Sequence, residues 1–235
     1  MQLVPSGYWR IISNDIPRPC SREKAHLKEN EMPNSVRFRL AVVALVLCLV
    51  ITTGCASTKP SRFYTLSALA SSETRTKAGA TSLSIAIGVG PITLPEHLDR
   101  PQIVTRTSRN ELRLAEFDRW AGSLKDDFSR VLAENLSMLL STDRVSLYPW
   151  RRSMPIDYQV VLDVARFDGE LGGDAWLDAR WAVLGGRDKE VLSMHTSRIS
   201  EPSGAQSYAA LVGAQSRALG RLSREIAEAI KDISK

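Results

Sequence analysis

Cys55 is the residue whose chemistry the sequence makes most explicit. The chain has three cysteines. Two of them, Cys20 and Cys48, lie within or before the uncharged apolar run Leu40 to Ile51, which follows Arg37 and Arg39. A dozen apolar residues fall short of the ~20 that a membrane-spanning helix needs. A basic flank, a short apolar run and then small residues make up the layout of a secretory signal peptide. The small residues Thr52, Thr53 and Gly54 stand directly before Cys55. A single cysteine left in an oxidising compartment is a liability unless it is modified. Lipidation, with diacylglycerol and an acyl chain (palmitate) carried covalently on Cys55, is the chemistry to expect, and no other cofactor is.

The stretch Ile51-Thr52-Thr53-Gly54-Cys55 resembles the bacterial lipoprotein cleavage box, with Thr52 where that box usually has Leu. Ala56, rather than Asp, follows the cysteine, which points to export to the outer membrane. Met1 to Glu31 is long, polar and mixed in charge, unlike the short basic start of a signal. Met32 opens MPNSVRFRL, a natural start. The expected organisation is therefore an over-extended N-terminus at 1–31 and a lipoprotein signal peptide at 32–54. A lipid-anchored tether with a short β segment follows at 55–81, then a periplasmic α/β domain at 82–235.

Other candidate chemistry is sparse. His97 and His195 have no neighbouring His or Cys at metal-ligand spacing, so no metal is expected. Asp126-Asp127 reads as a solvated helix face, because adjacent helical residues diverge. Asp168 and Asp174 flank a Gly-rich turn and are explained by hairpin chemistry. No G-x-S-x-G elbow, P-loop or dinucleotide fingerprint occurs. The chain is expected not to be an enzyme, and no catalytic residue is assigned.

Charge excludes another class. Residues 1–54 carry seven of the 31 basic and four of the 26 acidic residues, leaving 24 and 22 in the remainder. A net charge near +2 with no basic stripe argues against nucleic acid.

The elements that must present any site follow from periodicity. Leu83, Ile85, Ile87 and Val89 alternate with small or polar residues as in a half-buried strand. Runs at 103–107 and 111–116 bracket Ser108-Arg109-Asn110 as a hairpin. Phe117, Trp120, Leu124, Phe128, Val131, Leu132, Leu136 and Leu139 step by three and four, an amphipathic helix. A short strand at 145–148 precedes a three-stranded meander built from 158–164, 177–183 and 191–199. A final helix places Tyr208, Leu211, Leu219, Ile226 and Ile230 on one side. The expected fold is α/β of the α+β kind: one compact domain, a mixed and mainly antiparallel sheet, two main helices.

The most unusual stretch is Gly90 to Val104, GPITLPEHLDRPQIV. Three prolines fix an extended course, with Leu94 and Leu98 set among polar residues. Exposed apolar residues on a stiffened loop suit partner recognition, because less ordering entropy is lost on binding. Equally, Leu94 and Leu98 could cap the core beneath the loop.

Here the sequence resembles a known family. VGPITLPEHLDRPQIVTR, with Phe63-Tyr64-Thr65-Leu66 before it and Glu116-Phe117-Asp118-Arg119-Trp120-Ala121 after it, is similar to the PqiC-type lipoproteins. These are auxiliary lipoprotein components of ABC-type or MCE-type envelope transport systems, the membrane integrity-associated transporter subunits. The resemblance spans the chain from the Cys55 box to the last helix. It implies a periplasm-facing outer-membrane lipoprotein that docks on an MCE-domain periplasmic protein and supports intermembrane lipid transport. It also implies an anticodon-binding-domain-like α/β fold and assembly into a homo-oligomeric ring. Carried onto this chain, the anchor is Cys55. The partner-binding set is Leu94, Pro95, Leu98, Asp99, Arg100 and Pro101, with Arg119 and Trp120 matching the family's Arg-Trp at a helix start. Two other readings compete: a lipid carrier, which would need an apolar cavity, and a structural lipoprotein subunit of a secretion or efflux complex. Trp176 and Trp181 fit a carrier poorly, since their odd spacing sends them to opposite strand faces.

Overall fold

The computed structural model describes residues 33–52, 59–70, 84–151 and 153–235. The expected over-extended start at 1–31, Cys55 itself and residues 71–81 of the expected tether lie outside these. The chain divides into a unit at 1–57 and a unit at 58–235. The first contains helix α1 (Asn34–Thr52), which carries the apolar run. Among the described residues no helix is long and apolar enough to cross a membrane.

Among the described residues the second unit is α+β, with two mixed sheets and two helices. The five-stranded sheet contains β2 (Ile87–Thr93), β5 (Val145–Leu147), β6 (Tyr158–Gly169), β7 (Asp174–Gly185) and β8 (Val191–Pro202), in the order β5-β2-β6-β7-β8. β5, β2 and β6 run parallel, and β6, β7 and β8 form the antiparallel meander. The smaller sheet has the order β1-β4-β3, from β1 (Arg62–Tyr64), β3 (Gln102–Arg106) and β4 (Leu112–Trp120).

Helices α2 (Leu124–Leu140) and α3 (Tyr208–Ile233) cover one face of the larger sheet. Ser123 caps α2, its hydroxyl accepting from the Asp126 N–H at 3.2 Å, and Asp126 and Asp127 sit in the first turn, where the helix dipole favours negative charge. Ser207 caps α3 in the same way through Ala210. Phe128, Leu132 and Leu136 from α2 and Leu219, Leu222 and Ile226 from α3 are fully buried with Val160, Leu177 and Ile199 of the sheet. Phe128 meets Phe167 edge-to-face at 5.2 Å. The two helices are also tied by a buried amide: Asn135 Nδ2 donates to Ser223 Oγ at 3.0 Å.

Three expectations change. The helix does not begin at Phe117. Residues 117–120 belong to β4, which pairs with β1 through Arg62–Asp118, Phe63–Arg119 and Tyr64–Trp120. Strand partners overrode a spacing that merely looked helical, and the helix waits for Gly122 and the Ser123 cap. Arg119 and Trp120 therefore end a strand.

Residues 59–70 are not free tether, and the folded domain does not wait for residue 82. After β1, the Leu66 N–H donates to Asp127 Oδ2 at 2.6 Å and the Leu69 N–H to Asn135 Oδ1 at 2.8 Å, and Leu66 is buried. Asp168 lies inside β6, the turn being Glu170–Gly173, where the Glu170 N–H donates to the Asp174 carbonyl at 3.1 Å.

Candidate docking surface

The proline stretch is where the expected site meets its first correction. Residues 91–93 continue β2 beyond a cis Gly90–Pro91 bond, and a turn closes from the Leu98 N–H to the Pro95 carbonyl at 2.9 Å. Leu94 is 8 % and Leu98 2 % exposed, both in the core cluster, and Trp120 is 5 % exposed. These three cannot present an apolar surface to a partner, because their side chains are already spent on the core. Pro95 and Arg100 are half-buried, as is Arg119, while Asp99 and Pro101 are exposed beside Glu96 and His97. The Trp120 N–H donates to the Pro101 carbonyl at 2.7 Å, so the loop end and the Arg119-Trp120 pair are neighbours. The loop's outer surface is polar. The capping reading of Leu94 and Leu98 is the one the structure adopts.

An open apolar surface lies on the face of the larger sheet turned away from α2 and α3. Strand alternation sends Val160, Leu162, Val183, Leu177 and Ile199 to the helices and their neighbours outward. Val161 of β6 stands opposite Ala182 of β7, and Ala182 opposite Met194 of β8. With Pro91 and Thr93 of β2 they line an open depression of about 370 Å³. Met194 is 69 % exposed. Beside it Arg180 Nη2 donates to Asp163 Oδ2 at 3.0 Å, an exposed pair that adds little stability.

Toward β5 the same face is covered by two aromatic rings rather than a helix. A Cβ on Gly88 would lie 2.7 Å from the Trp150 indole, and one on Gly90 2.8 Å from Tyr148 Cβ. Both positions need glycine for this close approach, Gly90 also for its φ of +115°. Tyr148 and Trp150 meet edge-to-face at 5.5 Å, and Tyr148 remains exposed.

Periodicity could have found this face: Val161, Ala182 and Met194 are the outward residues of strands already recognised. The two tryptophans do separate as expected: Trp181 is buried and donates to Ser197 Oγ at 2.8 Å, while Trp176 is half-buried on the opposite face.

The arrangement offers little to chemistry. Among the described residues no group of three or more His, Cys, Asp or Glu could hold a metal ion. Ser193 Oγ lies 2.6 Å from His195 Nε2, with His195 against the Trp181 ring at 4.7 Å. Residues i and i+2 on one strand share a face, so strand geometry alone produces that contact.

A family model described as "ABC-type transport auxiliary lipoprotein component" matches residues 64–227. No curated protein matches the chain. A crystal structure of a Xanthomonas campestris protein superposes with a TM-score of 0.61 at 19 % identity, covering 74 % of this chain and 99 % of that one. A second crystal structure, of an uncharacterized protein, superposes with a TM-score of 0.60 at 16 % identity, covering 73 % and 99 %. At these identities the likeness is one of fold.

Proposed function

This chain belongs to the family of ABC-type transport auxiliary lipoprotein components, and we propose that it acts as an outer-membrane-anchored docking subunit of an MCE-type lipid transport system. Cys55 carries the lipid, and three residues of chain separate it from Lys59. The 58–235 unit faces the periplasm and meets an MCE-domain protein. The observation that carries the docking role is the sheet face turned away from α2 and α3, where Met194 is 69 % exposed and Val161 half-buried around a buried Ala182 in an open, mainly apolar depression. Soluble proteins seldom leave contiguous apolar surface uncovered unless something binds it. The polar outer side of the proline loop, with Asp99 and Pro101, would form the rim. A ring of copies would multiply the same contact.

The test is recovery of the tagged full-length protein from its host in mild detergent, with partners identified by mass spectrometry. An MCE-domain protein should co-purify with the wild type and be lost with Met194→Asp. Recovery of secretion or efflux components in its place would overturn the transport assignment in favour of a structural lipoprotein of another envelope complex.

A further inference from the structure

At the far end of the same sheet face, two arginines converge on one buried carboxylate, with a third beside them. Asp168, on β6, has a side chain only 1 % exposed. Its Oδ2 accepts from Arg106 Nη2 at 2.7 Å and Nε at 3.1 Å, and its Oδ1 from Arg166 Nε at 2.7 Å. Arg106 reaches it from β3, and its Nη1 donates to the Arg109 carbonyl at 2.9 Å, holding the hairpin turn against the cluster. The Arg166 guanidinium lies over the Trp176 ring, 5.0 Å from its centroid. Arg106, Ser108, Arg109, Arg166, Glu170 and Trp176 line an open depression of about 460 Å³.

A buried carboxylate shared by two guanidiniums neutralises only one of them. Glu170 stands at the rim, and Asp178, opposite Arg166 in the ladder, also stands opposite Arg198 on its other side. Four guanidiniums thus face three carboxylates, with the excess positive charge at the mouth of the depression. Arg166 is committed through Nε, and its two Nη atoms carry no hydrogen bond among the described residues. A guanidinium fixed at Nε by a carboxylate and stacked on an indole keeps its fork preorganised for a second, tetrahedral anion. The Ser108 hydroxyl adds a further donor at the wall.

We propose that Arg106, Arg109 and Arg166, held by Asp168 and Trp176, form a binding site for a phosphate-bearing anion. The ligand is either free phosphate or the phosphodiester of a phospholipid headgroup. This site does not depend on the docking reading, since partner recovery could fail with anion binding intact. The probes are inorganic phosphate and glycerophosphoglycerol, an acyl-free phosphodiester. They are titrated into the full-length protein in a maltoside detergent, with sodium chloride at matched ionic strength as reference and the Trp176 indole N–H followed by NMR. Saturable shifts should appear with phosphate or the diester and not with chloride. Affinity should fall about tenfold in Arg109→Gln and in Arg166→Gln. Arg109→Gln changes an exposed turn residue, so its effect is not confounded by misfolding. Tighter binding of the diester identifies the headgroup as the source, and tighter binding of phosphate the free ion. Shifts equal to those in chloride, or unchanged in both variants, overturn the site.

Discussion

The proline loop and the helix-free sheet face treat the same kind of residue in opposite ways. Leu94 and Leu98 stand among Pro, Glu, His and Asp, yet they are buried; Met194 stands among Ser, His and Thr and is 69 % exposed. Polar neighbours do not report exposure. What decides is whether another layer lies over the side chain. The loop folds back on the core and closes over its own leucines, whereas neither α2 nor α3 lies over the face on which Val161, Ala182 and Met194 line up.

The largest effect should come from Leu94→Asp combined with Leu98→Asp. Two unpaired charges at core positions carry a desolvation penalty of several kcal/mol each. The variant should therefore lose its cooperative thermal transition. A folded double variant would mean that the loop opens freely and would return it to the list of partner surfaces. Next comes the covered face of the sheet. Phe128→Ala removes a fully buried ring packed on Phe167 and should cost about 3–5 kcal/mol in urea unfolding. On the bare face, Met194→Asp should change stability by no more than about 0.5 kcal/mol while abolishing partner recovery. A large stability loss there would show that the face is part of the core.

The smallest effect concerns pH, at the β1–β4 pairing that moved the domain boundary. Burial, and then the hydrogen bond its hydroxyl donates to the Asp118 carboxylate at 2.7 Å, push the Tyr64 ionisation above its ordinary value. The folded state therefore holds this proton more tightly than the unfolded chain. The stabilisation is complete below the unfolded value near ~10 and is lost as pH rises through the folded one. Urea midpoints should fall above pH ~10 in the wild type and less so in Tyr64→Phe. Equal slopes would show that Asp118 relies on Arg62 alone, whose Nε lies 2.8 Å from it.

Period-two runs and amphipathic spacing carried most of the architecture, because backbone geometry maps them directly onto strands and helices. The β3–β4 hairpin, the 158–202 meander and α3 could all be read in this way. The signal-like run and the lone Cys55 likewise depend on composition and order, which need no fold. Pairings between distant segments had no local trace. Arg62–Tyr64 joined β4 and turned Phe117 and Trp120 from helix into strand. Arg106 found Asp168 across 62 residues of chain. Leu94 and Leu98 went inside while Met194 stayed out. Each of these outcomes was settled by which layer came to lie on which face, and a chain acquires that property only when it closes on itself.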